Sequence, residues 1–399
     1  MTHRPRFRRR TPSAALALLA ILMGGGGLLV ACETVSAQPG GAAAGSHSAT
    51  APATARPSVR PAVTPTASPS PSPSPAPVHY EDLSGIVTTA ELAHRYPIAV
   101  MIDDAPAARQ QAGLSFASIV WQAPAEGGIP RYMAIFQAGT PPTIGPVRSA
   151  RLYFVRWAAE WKAVYLHAGG PPPLRAYLAG RQTVVLDVNG RATNRVRFRA
   201  APHNLYTEGP RLRRFAEREL RATAERLAYD PAEPGRLQPF RDAVPEAERG
   251  PEGGTIRVTY TSARVDYRYD RASNTWLRSV DGREHHDALA TANRGKGAIG
   301  AGPRIAPTTV VVMVVPIRRS ASIEGPALGR LEADSLGKNT AWVFAEGRVT
   351  KGTWRKPTPT DRTRFFDAAG HELAFPRGQV FIQVIPTASA ATFSVEASR

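Results

Sequence analysis

The stretch Pro97-Ile98-Ala99-Val100-Met101-Ile102-Asp103-Asp104 decides the fold. It is an unbroken apolar run closed by two acids. A run this short with no polar alternation predicts a strand buried on both faces rather than one with a wet side. Similar runs follow at Ser118 to Ala123, Tyr132 to Ala138 and Ala163 to Ala168. Between and after them the apolar spacing becomes helical. Ala150 to Lys162 places Leu152, Val155 and Ala159 on one face, and Arg211 to Ala228 places Leu212, Phe215, Leu220 and Leu227 inward. Buried strands alternating with amphipathic helices predict an α/β domain over 79–230.

Toward the C-terminus the pattern changes. Residues 231–254 are rich in Pro, Glu, Asp and Gly and read as an interdomain connection. Beyond them the period is two: Ile256, Val258 and Tyr260, then Val265, Tyr267 and Tyr269, and later Trp342 with Phe344. The solid run Val310 to Val315 is another buried strand, Arg364 to Gly370 reads as a hairpin turn, and Gln379 to Ile385 as a closing strand. The expectation is a mostly β domain over 255–386 with a tail at 387–399, giving an α+β protein overall.

Toward the N-terminus the sequence specifies an address. Arg4, Arg6, Arg8, Arg9 and Arg10 precede an uncharged apolar stretch from Ala14 to Ala31, the charge order of a secretory signal. Gly24 to Gly27 interrupt that stretch and weaken it as a lasting membrane helix. It ends in Leu29-Val30-Ala31-Cys32, which resembles the bacterial lipobox; the resemblance implies cleavage of a signal peptide over 1–32 and a lipid on Cys32. Cys32 is the sole cysteine, so thiol nucleophiles, intramolecular disulfides and iron–sulfur ligation drop out. Residues 33–78 are Ala, Pro, Ser, Thr and Gly with almost no charge, the composition of a disordered linker. Its proline-rich end favours polyproline II, so the whole tether could reach on the order of 100 Å from the membrane at about 3.1 Å per residue. The protein is expected at the cell membrane, lipid-anchored on the extracytoplasmic face.

The formal net charge of +18 includes the five leader arginines, and without them +13 remains. An Arg-, Ala- and Pro-heavy composition most often reflects genome base composition; the alternative reading of the excess is attraction to anionic envelope material, either lipid headgroups or phosphate-bearing polymer. Nucleic acid is not expected, because no binding motif accompanies the charge.

The strongest local signal for chemistry is Gly145-Pro146-Val147-Arg148-Ser149-Ala150-Arg151, between a strand and a helix. A helix starting near Ser149 would set Arg148 and Arg151 one turn apart beside unpaired N–H groups, forming an anion site with Arg131. Equally, these arginines could pair with Asp103, Asp104 or Glu126 to hold the domain together. Asp103, at the carboxyl end of a buried strand, is placed to act as a base or hold a cation, while Asp104 could simply start a turn. His167-Ala168-Gly169-Gly170 and Ala201-Pro202-His203-Asn204-Leu205-Tyr206 are the other polar clusters. Catalytic candidates are therefore Asp103, His167 and His203, and ligand-binding candidates Arg131, Arg148, Ser149, Arg151 and Asn204. His285-His286-Asp287 lacks a further histidine at ligand spacing and reads as a solvated turn, so no metal site is assigned. Serine-hydrolase elbow, zinc-protease, phosphate-loop and dinucleotide motifs are absent from the sequence.

Taken in order, Pro97 to Asp103, Ala125-Glu126-Gly127-Gly128-Ile129 with Arg131, Gly145 to Arg151, His167 to Gly170 and Ala201 to Tyr206 resemble the YerB family of bacterial lipoproteins. Thr353-Trp354-Arg355-Lys356 and Thr363 to Asp367 resemble that family's C-terminal module. The resemblance implies architecture and location but carries no activity. A looser likeness, in which Asp103 and Arg148 would correspond, is to the LytR-CpsA-Psr transferases. Those enzymes have an acid directly after the arginine, where this chain has Ser149.

Three functions follow as expectations, the third being a scaffold that only recruits other wall proteins. The first is an envelope lipoprotein that binds an anionic ligand through an arginine-rich cleft, without a cofactor. The second is a cell-wall phosphotransferase acting on a lipid-pyrophosphate-linked substrate, the one reading under which Mg²⁺ would enter. Whether the protein is an enzyme, and which proteins it meets, the sequence leaves open.

Overall fold

The apolar run becomes β1 (Ile98–Asp103), every residue of which is buried. The computed structural model describes residues 77–179, 185–221, 237–290, 299–320 and 329–398. The leader, Cys32, the linker up to residue 76 and the expected helix end beyond residue 221, including Leu227, lie outside the described residues. Beside β1 lie β2 (Ile119–Pro124) and β3 (Pro130–Phe136), also buried throughout, then β4 (Val164–Leu166) and β5 (Leu186–Asp187). The helices are α1 (Leu152–Ala159), α2 (Pro172–Ala179) and α3 (Gly209–Arg221). The first region is α/β and the second mostly β, as expected.

In the second region β6 (Thr255–Tyr260), β7 (Ala263–Asp270) and β8 (Thr275–Val280) alternate buried and exposed residues, the pattern of strands with one wet face. Next come β9 (Thr309–Val314), β10 (Gly337–Ala345), β11 (Arg348–Lys356), β12 (Arg364–Phe366), β13 (Val380–Ile385) and β14 (Ala391–Ser394). β9 is a β-branched run that suits a central strand.

Strands of both regions enter one mixed sheet, ordered β12-β11-β10-β9-β13-β2-β3-β1-β4-β5. The junction is β13, parallel to β9 on one side and to β2 on the other, with Ile382 opposite both Val311 and Trp121. One sheet face forms a single core, in which Met101, Trp121, Met313 and Val384 meet the α1 residues Phe154 and Trp157. Trp121 and Trp157 stack there with ring centroids 4.4 Å apart. The opposite face is covered by α3 over the first region and by the sheet β8-β7-β6-β14 over the second. The stretch 387–399 is thus more than a tail, since β14 pairs with β6. Among the described residues no helix is long and apolar enough to cross a membrane.

Two local expectations are corrected. α1 begins at Leu152 rather than near Ser149, with Arg151 in the extended N-cap position and no side-chain cap. Leu152 is therefore exposed, while Tyr153, Phe154, Val155, Trp157 and Ala158 are buried. His285-His286-Asp287 is no solvated turn, because His285 and Asp287 are buried. Asp287 accepts from the Gly113 and Ser115 N–H groups at 2.7 and 2.9 Å, and so holds a loop of the first region.

Asp104 is likewise more than a turn residue. Fully buried, it accepts from Gln122 Nε2 at 2.6 Å and Gln111 Nε2 at 3.1 Å. Gln122 Oε1 accepts from Arg278 at 2.8 Å, and Arg278 also donates to His285 Nδ1. His285 Nε2 lies 3.0 Å from Gln111 Oε1, which closes a ring of five side chains: Asp104, Gln122, Arg278, His285 and Gln111. In that ring His285 must be neutral, donating from Nε2 and accepting at Nδ1. Burial, with Arg278 beside it, holds the imidazole well below the ordinary histidine range. A depressed folded value means that the unfolded chain takes up a proton the folded chain refuses. Stability therefore falls as pH drops below about 6.5, by up to about 1.4 kcal/mol per pH unit. In urea unfolding between pH 6.5 and 5, His285→Gln should lower stability at the higher pH and flatten this decline; an unchanged slope would remove His285 from the ring.

Candidate functional site

Asp103 and Asp104 diverge: one joins the buried ring, the other faces a hollow of about 350 Å³ at the carboxyl end of β1. Carboxyl ends of strands in an α/β sheet commonly border ligand crevices. The hollow is lined by Asp103, Glu126, Arg131, Arg148, Ser149, Arg151 and Arg330, with Ala105 and Ile129.

Arg148 is carried by a segment wedged between strand ends. Its N–H donates to Met101 O and its C=O accepts from Ala168 N–H, both at 2.9 Å. Upstream, Gly145 adopts a positive φ, and a Cβ there would meet the Tyr206 ring at 2.7 Å, so glycine is needed for the approach. Arg148 Nε then lies 2.9 Å from Asp103 Oδ2. The same carboxylate oxygen takes His203 Nδ1 at 2.7 Å, and Asp103 Oδ1 accepts from the Ala105 N–H at 3.1 Å. His203 is thereby tied to the hollow across a hundred residues of sequence.

Glu126 forms the opposite wall. One oxygen accepts from Arg131 at 2.6 Å and the other pairs with Arg151. Arg131 also donates to Ser149 O at 3.0 Å, so Ser149 contributes its carbonyl to the bracing. Burial lowers the Arg131 guanidinium from its ordinary value, opposed by Tyr153 and Asp103. Arg151 is pushed down to about 10, chiefly by burial and further by the like charge of Arg330, and stays charged near neutrality. Among the described lining residues, four guanidinium groups face two carboxylates.

Arg148, 27% exposed at its side chain, is the most open of the three predicted arginines; Arg131 and Arg151 keep 11% and 9%. Arg131 and Arg151, held by Glu126, therefore set the shape of one wall, and Arg148 is held by Asp103 on the other.

The remaining candidates lie elsewhere. His167 is buried, with Nδ1 2.8 Å from Gly169 O and Nε2 2.7 Å from Asp187 Oδ1, pinning the turn after β4 to β5. Asn204 donates to Val196 O and accepts from Arg195, bracing its own hairpin. Neither lines the hollow. Arg330 was not singled out in the sequence: it comes from the second region, brought in as Gly127 N–H donates to Gly329 O at 3.0 Å, and no motif marks it. Among the described residues no group of three histidine, cysteine or acidic side chains gathers as metal ligands.

Glu126→Ala should leave two nearly buried guanidinium groups facing each other. The expected loss in urea unfolding is about 2–3 kcal/mol, below the 3–5 typical of a fully buried pair because the carboxylate is partly exposed. A loss under about 0.5 kcal/mol would mean that Glu126 does not brace the wall.

Comparison with known proteins matches the two regions of the chain in turn. The model described as the N-terminal domain of a protein of unknown function, DUF3048, matches residues 83–224, and that of the DUF3048 C-terminal domain matches residues 256–382. The YerB protein of Bacillus subtilis (strain 168), named as a lipoprotein, is 29% identical over 320 residues, 78% of this chain and 88% of the relative. The crystal structure of YerB protein from Bacillus subtilis matches with a TM-score of 0.64 and 26% identity, over 79% of this chain and 99% of that one.

Proposed function

The chain belongs to the YerB-like family of lipoproteins built from paired DUF3048 parts, and from that premise we propose that it binds an anionic envelope ligand in the hollow beside Asp103. The observation that carries the reading is that, among the described residues, four arginine side chains and two acids converge on one water-accessible hollow. A phosphate or carboxylate group would take donors from Arg148, supported by the field of Arg131, Arg151 and Arg330. Asp103, still held by His203 and the Ala105 N–H, keeps its place when Arg148 swings away. Lipid on Cys32 would tether the protein to the extracytoplasmic face of the membrane and present the hollow to headgroups or phosphate-bearing polymer.

Titration of the chain beyond Cys32 with inorganic pyrophosphate, a compact phosphate probe, tests the site. Arg148→Ala should weaken binding by roughly 10- to 100-fold, the worth of a charge-assisted hydrogen bond or two, and binding should fall with added salt. Equal affinity of both proteins would remove the assignment. For the address, Cys32→Ser should abolish incorporation of labelled fatty acid into the expressed chain; retained label would place the lipid elsewhere.

A further inference from the structure

A second cleft, of about 300 Å³, opens beside the hollow and shares Arg151 and Arg330 with it. Its character differs. Leu152 and Tyr177, both among the exposed large hydrophobic residues, stand with Pro171, Pro173, Leu174 and Leu331 between α1, α2 and the strand Leu331–Ala333. Arg156, Arg318, Glu332 and Asp334 line its other side, where both acids pair with Arg318. The position of Leu152 follows from the late start of α1: as the first helical residue it turns outward, although its spacing suited the core. A trough whose α1–α2 side is apolar and whose far side carries charged groups thus runs up to the hollow, with Arg151 and Arg330 shared at the boundary.

We propose that the two clefts form one composite site for an anionic amphiphile, with a phosphate-type head in the hollow and a single apolar tail in the trough. The proposal rests on the anion reading above and narrows its ligand class. Charge complementarity fixes the head end, because the arginines converge on the hollow, while the exposed apolar side chains fix the tail end. Tail burial lowers the free energy by removing apolar surface from water on both partners. A sugar polymer would gain little from the trough, and a bilayer surface could not enter a narrow cleft without releasing a lipid.

The test is calorimetric titration of the chain beyond Cys32, whose residues from 77 onward form a single compact unit among those described. The probes are octyl phosphate below its micelle concentration, inorganic phosphate, octyl glucoside, and phosphatidylglycerol vesicles. Octyl phosphate should bind at least about tenfold tighter than inorganic phosphate. The pair Leu152→Ser and Tyr177→Ser, both at exposed positions, should erase that advantage and leave inorganic phosphate binding unchanged. Inorganic phosphate bound as well as octyl phosphate would overturn the tail site while leaving the anion site standing. If neither anion binds, the anion reading itself falls and this inference with it. Equal binding of octyl glucoside would overturn the assignment of the head, and vesicle binding without monomer binding would overturn the single-tail occupant in favour of a membrane surface.

Discussion

A buried carboxylate cannot sit alone in a protein interior, and the ring around Asp104 meets that requirement with groups drawn from both regions of the chain. Gln111 and Gln122 come from the α/β part, Arg278 and His285 from the β part, and Tyr132 and Tyr267 add hydroxyl acceptors for Arg278 at 3.0 and 3.1 Å. Removing any member strands another, so the second sheet is fastened to the first by polar matching as well as by apolar contact. β13 fastens them again through the backbone, because it hydrogen-bonds a strand of each region.

The hollow beside Asp103 inherits its geometry from this fastening. Asp103 and Asp104 are consecutive, and successive residues of an extended chain point to opposite sides. With Asp104 locked inward, Asp103 is held outward, where it receives His203 and Arg148. Arg330 reaches the same hollow from the second region, so the site is complete only while the regions stay in register. Glu126 spaces Arg131 and Arg151 in one wall, and Asp103 holds Arg148 in the other.

Much of this was legible in the sequence, and the exceptions have physical causes. Continuous apolar runs marked β1, β2, β3 and β9 because strands buried on both faces need no polar residues, and alternation marked β6 and β7. The start of α1 was misplaced because Ser149 looks like a cap, whereas its neighbours are consumed in backbone bonds to Met101 and Gly169. His285 and Asp287 read as solvated because their partners, Gln111 and Ser115, lie more than 170 residues away, beyond any local pattern. Arg330 was invisible for the same reason. The cluster of Asp103, Arg131, Arg148 and Arg151 was legible because three of the four sit at strand ends or the adjoining turn, where an α/β sheet gathers them.

The central claim is that both regions form one cooperative unit held by the Asp104 ring and β13. Differential scanning calorimetry of the chain beyond Cys32 addresses it directly. The account predicts one unfolding transition whose calorimetric and van't Hoff enthalpies agree. Two resolved transitions, or a calorimetric enthalpy well above the van't Hoff value, would show that the regions unfold separately and contradict it.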